Sequence, residues 1–166
     1  MADAEDPRLR LDPNAVVVSE RVEIEASAAI VWEILTDLPR YGEWNPFCVE
    51  AQSTLELGAP VNMKLKNYTE PGESYFPNCE YVCAFEPEKL LSWQLPHNDE
   101  WPYPARRDQI IEPLGPDRCA YQSTDAFLGP NGIHVMRFAG PWVKRAFDDT
   151  AFALKARAEA FAKARR

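Results

Sequence analysis

Two neighbouring runs in the last third of the chain hold the residues best suited to chemistry. In RRDQII (106–111), strand alternation puts Arg107, Gln109 and Ile111 on one face; in RCAYQSTDAF (118–127) it puts Tyr121, Ser123, Asp125 and Phe127 on one face. If the two strands are neighbours with these faces turned the same way, Arg107 with Asp125 nearby would make a charge-compensated polar spot suited to orienting a substrate or to acid–base help. The alternative is an edge salt bridge or a solvent-facing pair, because a one-residue slip of register swaps the faces. His134, at the start of a long helical pattern, has a side chain that titrates near neutral pH, but a capping or packing role suits it as well; His97 lies in a proline-flanked loop and reads as surface. There is no Gly-x-Ser-x-Gly, no phosphate-cradling loop and no dinucleotide fingerprint, and seven glycines leave little room for one. Cys48, Cys79, Cys83 and Cys119 are scattered. The closest pair, four residues apart in a strand, would stand about 13 Å apart at about 3.3 Å per residue, too far for a disulfide. With two distant histidines there is no zinc-ligand spacing, so the thiols read as reduced and buried, and neither metal nor cofactor is expected.

Elements must position these groups. Val18, Val22, Ile24 and Ala26 alternate with charged residues from Val16 to Ala26, which predicts one half-buried strand. Ser27 suits an N-cap, AAIVWEILTD (28–37) a short helix, and Leu38–Trp44 a second turn closed by Pro46. Six more strands are expected: Cys48–Leu57, Val61–Asn67, Cys79–Phe85, Leu90–Leu95, Arg106–Glu112 and Arg118–Leu128. Residues 68–78 and 96–104 read as long loops, the first a flap, with Tyr68, Tyr75, Phe76, Trp101 and Tyr103 as a gate or a contact surface. From Ile133 to Arg166 one stripe recurs at Ile133, Met136, Gly140, Val143, Phe147, Leu154, Ala158 and Phe161, an amphipathic helix that Pro141 is expected to bend. Seven strands in a meander tend to curl, and a curled sheet with one long helix wraps around it, leaving a pocket between. The fold class is therefore α+β, a seven-stranded curved antiparallel sheet around a long C-terminal helix, with two short helices after the first strand.

The chain has 166 residues, 46% of them hydrophobic, which suits a single packed domain from about residue 15, behind a charged leader at 1–14. A net charge of −8 repels phosphates and anionic lipids and speaks against nucleic acid and electrostatic membrane recruitment. The acidic N-terminus has no signal-peptide character and no run approaches the roughly 20 apolar residues of a membrane span, so membrane insertion is not expected and a cytoplasmic location is.

RVEIEASAAIVWEILTDLPRYGEWNPF (21–47), Leu91 and Trp93, the Glu112-Pro113-Leu114-Gly115 turn and Tyr121…Phe127-Leu128-Gly129 together resemble the START-like, helix-grip (SRPBCC) superfamily, over about Val16 to Phe161. That group holds bacterial polyketide cyclases and dehydrases, lipid-transfer domains and the birch-pollen allergen. The resemblance implies the helix-grip fold, turns the face of Tyr121, Ser123, Asp125 and Phe127 into a cavity, and brings Arg107 and Gln109 inward beside them. Aromatics at Trp44, Phe47, Tyr81, Phe85, Trp93, Trp142 and Phe147 are then candidates for a ligand-lining wall, plain core packing being the alternative for each. Met136, Gly140, Val143 and Phe147 form the half of the long helix expected to close the pocket, and Leu154, Ala158 and Phe161 the half expected to anchor it. The first functional expectation is a monomer or homodimer that binds a hydrophobic small molecule: a lipid, polyketide or aromatic metabolite. The second is a polyketide cyclase/dehydrase-type enzyme using Arg107, Asp125 and Tyr121, and the third an interaction module acting through its aromatic loops.

Overall fold

The computed structural model of the protein describes residues 6–100 and 102–166. Eight antiparallel strands form one curved sheet: β1 (Val16–Val18), β2 (Val22–Ile24), β3 (Cys48–Gln52), β4 (Pro60–Lys66), β5 (Tyr75–Glu86), β6 (Leu90–Leu95), β7 (Ala105–Gly115) and β8 (Arg118–Phe127). Their order is β1-β8-β7-β6-β5-β4-β3, with β2 also on β8. Helix α1 (Ala28–Thr36) and a 3-10 segment (Leu38–Glu43) follow β2, and helix α2 (Gly132–Ala164) ends the chain. The sheet grips α2, an α+β helix-grip fold.

The eighth strand arises because the first expected strand is broken. Val18 pairs with Thr124 but Val22 with Tyr121, so one extra residue sits between β1 and β2, a β-bulge. The Ser19 N–H donates to the Ser123 carbonyl and the Ser123 N–H to the Ser19 hydroxyl, which satisfies the backbone across the break. The bulge moves the inward set by one residue. Val17 is buried at 2% and Val18 exposed at 44%, the reverse of the alternation expected from sequence, whereas Val22, Ile24 and Ala26 do face the core.

Local chemistry explains the helix starts. The Ser27 hydroxyl accepts from the Ile30 N–H at 3.2 Å, and Val31, Ile34 and Leu35 bury one side of α1. Helix α2 has no side-chain cap, but Gly132 packs so tightly on the end of β8 that a Cβ there would stand 2.1 Å from the Phe127 carbonyl oxygen. The helix runs unbroken through Pro141. Its second half is the anchor: Ala151, Leu154 and Ala158 are fully buried, and Phe161 packs at the rim under Arg157 and Arg165.

The first expected long loop, and the connection between the strands expected at Arg106–Glu112 and Arg118–Leu128, are shorter than the sequence indicated. β5 begins at Tyr75, so the flap contracts to residues 67–74; Pro77 is accommodated because it lies beyond the reach of β6 and pairs only with β4, at Lys64. Pro113 likewise sits in β7 next to a bulge, past the last pairing with β6, which leaves Pro116-Asp117 as the turn. β3 in turn stops at Gln52, short of Leu57. In the leader, single 3-10 turns at Pro7–Leu9 and Pro13–Ala15 lie against the β8–α2 connection, where Gly129 donates to the Arg10 carbonyl.

Candidate functional site

A cavity of about 380 Å³ lies between the first half of α2 and the concave side of β4 to β8. The helix presents Val135, Phe138, Ala139, Trp142, Val143 and Phe147, all apolar. The sheet adds Leu65, Phe76, Leu95, Ala105 and Phe127, and Phe47 enters from just before β3. Four polar side chains interrupt this lining, Asn78 and Glu80 from β5, Arg107 from β7 and Asp125 from β8, with Tyr103 at the mouth. Phe138 borders the cavity while 70% exposed, so it marks the opening.

Arg107 is the centre of the polar end. It is directly opposite Asp125 on one side and Trp93 on the other. The side chain is 5% exposed, its guanidinium carbon lies 4.2 Å from the Phe147 ring centroid and 5.9 Å from that of Trp93, and its Nε and Nη2 are buried without a hydrogen-bond partner. No carboxylate approaches it within 4 Å among the described residues. The two carboxyls that face the same space are destabilised as anions. Burial pushes Asp125 up to about 7, against the pull of Arg107, and Glu80 up to about 8, with the Asp125 charge adding to the effect and Arg107 opposing it. Asn78 Nδ2 donates to Glu80 Oε2 at 3.0 Å. Both carboxyls therefore exchange protons near neutrality beside a fixed positive charge, and an apolar chamber opens in front of them.

Behind Arg107 the inner face stays polar but closed. Tyr121 donates to Gln109 Oε1 at 3.4 Å, and burial raises its phenol while Arg107 opposes that rise. Gln109 Nε2, Ser123 Oγ and Trp93 Nε1 are buried without partners. Tyr121, Ser123, Gln109 and Trp93 thus back the cavity rather than line it, as the run of cross-strand pairs Leu91–Gln109–Ser123 and Ile111–Tyr121 requires.

Of the residues singled out from sequence, the structure brings Phe47, Arg107, Asp125, Phe127, Trp142, Val143 and Phe147 to the cavity. Others lie elsewhere. Tyr81 is on the outer face of β5, opposite Pro60 and Gln94 and 40% exposed. Phe85 returns to the inner side after a bulge between Val82 and Ala84, but at the far end, edge-on to Trp32 of α1 at 5.0 Å. Trp44 packs against Tyr41 on the α1 side of α2, in a surface recess with Arg157 and Phe161. Met136 and Gly140 sit one position off the lining row, with the Met136 Sδ folded to 2.8 Å from where a Gly140 Cβ would stand. Among the loop aromatics, Tyr103 reaches the mouth, Tyr68 donates to Asp149 Oδ2 at 2.8 Å, and Trp101 lies outside the described residues. His134 and His97 do not line the cavity. Glu80 and Asn78 were missed because Tyr81 and Phe85, four residues apart, share a face under strict alternation and drew the inward set to their row, whereas the bulge leaves Tyr81 outside and brings only Phe85 in. The usable signal is Val82, the one aliphatic residue facing Trp93, whose row contains Glu80, Asn78 and Phe76.

Among the described residues no three His, Cys, Asp or Glu groups converge. No helix of the described residues is long and apolar enough to cross a membrane. No curated protein sequence matches the chain. Solved structures do. A START superfamily protein from Mycobacterium smegmatis is 21% identical, with 88% of this chain and 98% of that one covered and a TM-score of 0.63. The Zhui aromatase/cyclase from Streptomyces sp. R1128 is 16% identical over 87% and 93%, with a TM-score of 0.61, and norcoclaurine synthase from Thalictrum flavum 17% over 86% and 91%, with 0.58. At these identities the likeness is one of fold. The sequence itself is more specific: residues 15–159 match the family described as polyketide cyclase / dehydrase and lipid transport, and the chain belongs to that family.

Proposed function

We propose that the protein binds a hydrophobic small molecule between α2 and the sheet, with a polar group of the ligand directed at Arg107. The observation that carries this is an apolar chamber of about 380 Å³, inside the usual range for ligand pockets, that ends on a buried guanidinium with open donors. A core built only for stability would fill the space and leave no charged donor unpaired, since an unmet buried group costs about 1–3 kcal/mol or more. The purified protein is expected to take up Nile red, an uncharged apolar dye, with a blue-shifted emission and a stoichiometry near one. Fluorescence indistinguishable from the dye in buffer would remove the cavity as a binding site.

A second reading has its own support. Two carboxyls raised to about 7 and about 8 beside an arginine are poised to donate and accept protons at neutral pH, which is what ring closure and dehydration of a polyketide require. In such an enzyme Arg107 polarises a ketone oxygen while Asp125 withdraws a proton and Glu80 returns one. The named relatives that carry out cyclisation share this fold, and the family description includes cyclase and dehydrase activity. Turnover of a poly-β-ketone that falls at least about 100-fold in both Glu80→Gln and Asp125→Asn, with Nile red uptake retained, supports catalysis over carriage; turnover unaffected by either substitution excludes these groups as the acid and base.

A further inference from the structure

Resting on the cavity's being the ligand site, we propose that its ligand class is an anionic amphiphile, an apolar body ending in a carboxylate, which binds on Arg107 and brings one proton with it onto the protein's own carboxyls. Three features of the site lead there. Arg107 interacts with the Tyr121 phenol but keeps two buried donors, Nε and Nη2, without a hydrogen-bond partner, and these form one side of a planar fork whose shape matches the two oxygens of a carboxylate. The ring of Phe147 at 4.2 Å holds that fork in place. Apart from the Tyr103 phenol at the mouth, the polar side chains of the chamber, Asn78, Glu80, Arg107 and Asp125, are gathered at this end, which suits a ligand with one polar head, and the apolar lining contributed by α2 meets the rest.

The proton follows from the charges that face the head. Glu80 comes from β5, Arg107 from β7 and Asp125 from β8, with the Tyr121 phenol behind them, the Cys48 thiol beyond Phe47 at β3 and Tyr103 at the mouth. Asp108 is on the opposite face of β7, held by Ser92 and Arg106. Helix α2 lines the cavity without any titratable group. Near pH 7.5 the carboxyl pair, raised to about 8 at Glu80 and about 7 at Asp125, bears close to one negative charge against the one positive charge of Arg107. An entering carboxylate adds a second anion to a space of low polarity. Like-charge repulsion then drives a solvent proton onto the ionised carboxyl, chiefly Asp125, so that the ligand replaces it as the counter-ion of Arg107. The only covalent change is a proton transfer: the carboxyl gains an O–H bond and the buffer acid that supplies the proton loses its own bond to hydrogen.

Titration calorimetry with decanoate and with decanol, which share a chain but not a charge, tests this in phosphate and in Tris buffer. Decanoate is expected to bind about tenfold or more tightly than decanol, although transfer of an ion into an apolar pocket would by itself favour the alcohol. Its heat should differ between the two buffers by the amount that signals proton uptake, and its affinity should weaken from pH 7 to pH 9, where decanoate itself stays ionised. Decanol should show neither effect. Arg107→Met should reverse the preference to decanol, and Asp125→Asn should cut the proton uptake. Decanol binding as tightly as decanoate to the unmodified protein, or decanoate binding with no buffer dependence, overturns the proposal and leaves the cavity reading standing as long as Nile red binds. Failure of decanoate, decanol and Nile red alike overturns both.

Discussion

At Arg107 the fold keeps a guanidinium 5% exposed, against the rings of Phe147 and Trp93, within electrostatic reach of two carboxyls but hydrogen-bonded to neither. Stability alone does not ask for such a group, since apolar residues of similar volume commonly replace buried charge without loss. Its carboxyl neighbours have a measurable consequence. Glu80 and Asp125 bind protons more tightly folded than unfolded, because burial raises both. Between the unfolded carboxylate range near pH 4 and the folded values of about 7 and 8 the native state holds more protons, so stability is full below pH 4 as far as these groups are concerned and is lost as the pH rises through 7 to 8. The melting temperature is expected to fall from pH 5.5 to pH 8.5 and to fall less in Glu80→Gln with Asp125→Asn; a profile identical in the double variant contradicts the burial of these carboxyls. Arg107 and Asp125 were legible from alternation and from the family resemblance. Glu80 was not, because its strand carries large aromatics on its outer face and a bulge brings one of them back inside, so hydrophobicity pointed the wrong way at Tyr81 and the right way at Phe85 for the wrong region.

Helix α2 divides into two halves with different surroundings, and the division is visible in what a larger side chain would meet. Ala139 is buried yet borders the chamber, whereas Ala158 is fully buried in the core and does not border it. Ala139→Phe fills existing space and is expected to lower Nile red affinity by about tenfold or more with little change in melting temperature. Ala158→Phe overpacks the anchor and is expected to cost about 1–3 kcal/mol or more. Thermal melts and dye titrations of the pair check this; equal loss of stability in both would mean the chamber is not open space. The sequence stripe placed the helix and its anchor correctly, through Leu154, Ala158 and Phe161. It placed the cavity row one residue off at Met136 and Gly140, because a period of three to four fits Val135, Ala139 and Trp142 equally well and only the sheet decides which row looks into the chamber. The same holds for Val17 and Val18, where one bulged residue exchanged the faces of β1.

For the molecule as a whole, seven expected strands became eight through that bulge, and the order of elements and the curved sheet around a long helix were otherwise readable from turn residues and periodicity. What periodicity cannot supply is the empty volume, which depends on how side chains from five strands and one helix fail to meet. A second, wider groove of about 730 Å³ runs along β3, β4 and β5 next to Pro39, but it is open, and its Glu50 and Lys64 are surface groups joined by a 3.5 Å contact. The proposed ligand site is the inner cavity because, among the described residues, it is there that an apolar enclosure meets the buried Arg107 guanidinium with its open donors. The most direct measurement is a crystal structure of the protein with a bromodecanoate, read by the anomalous signal of bromine. The account predicts bromine density among Val135, Phe138 and Trp142, with the carboxylate about 2.7–3.2 Å from the Arg107 guanidinium. Bromine found only in the outer groove, with the interior closed by side chains around Arg107, would contradict it.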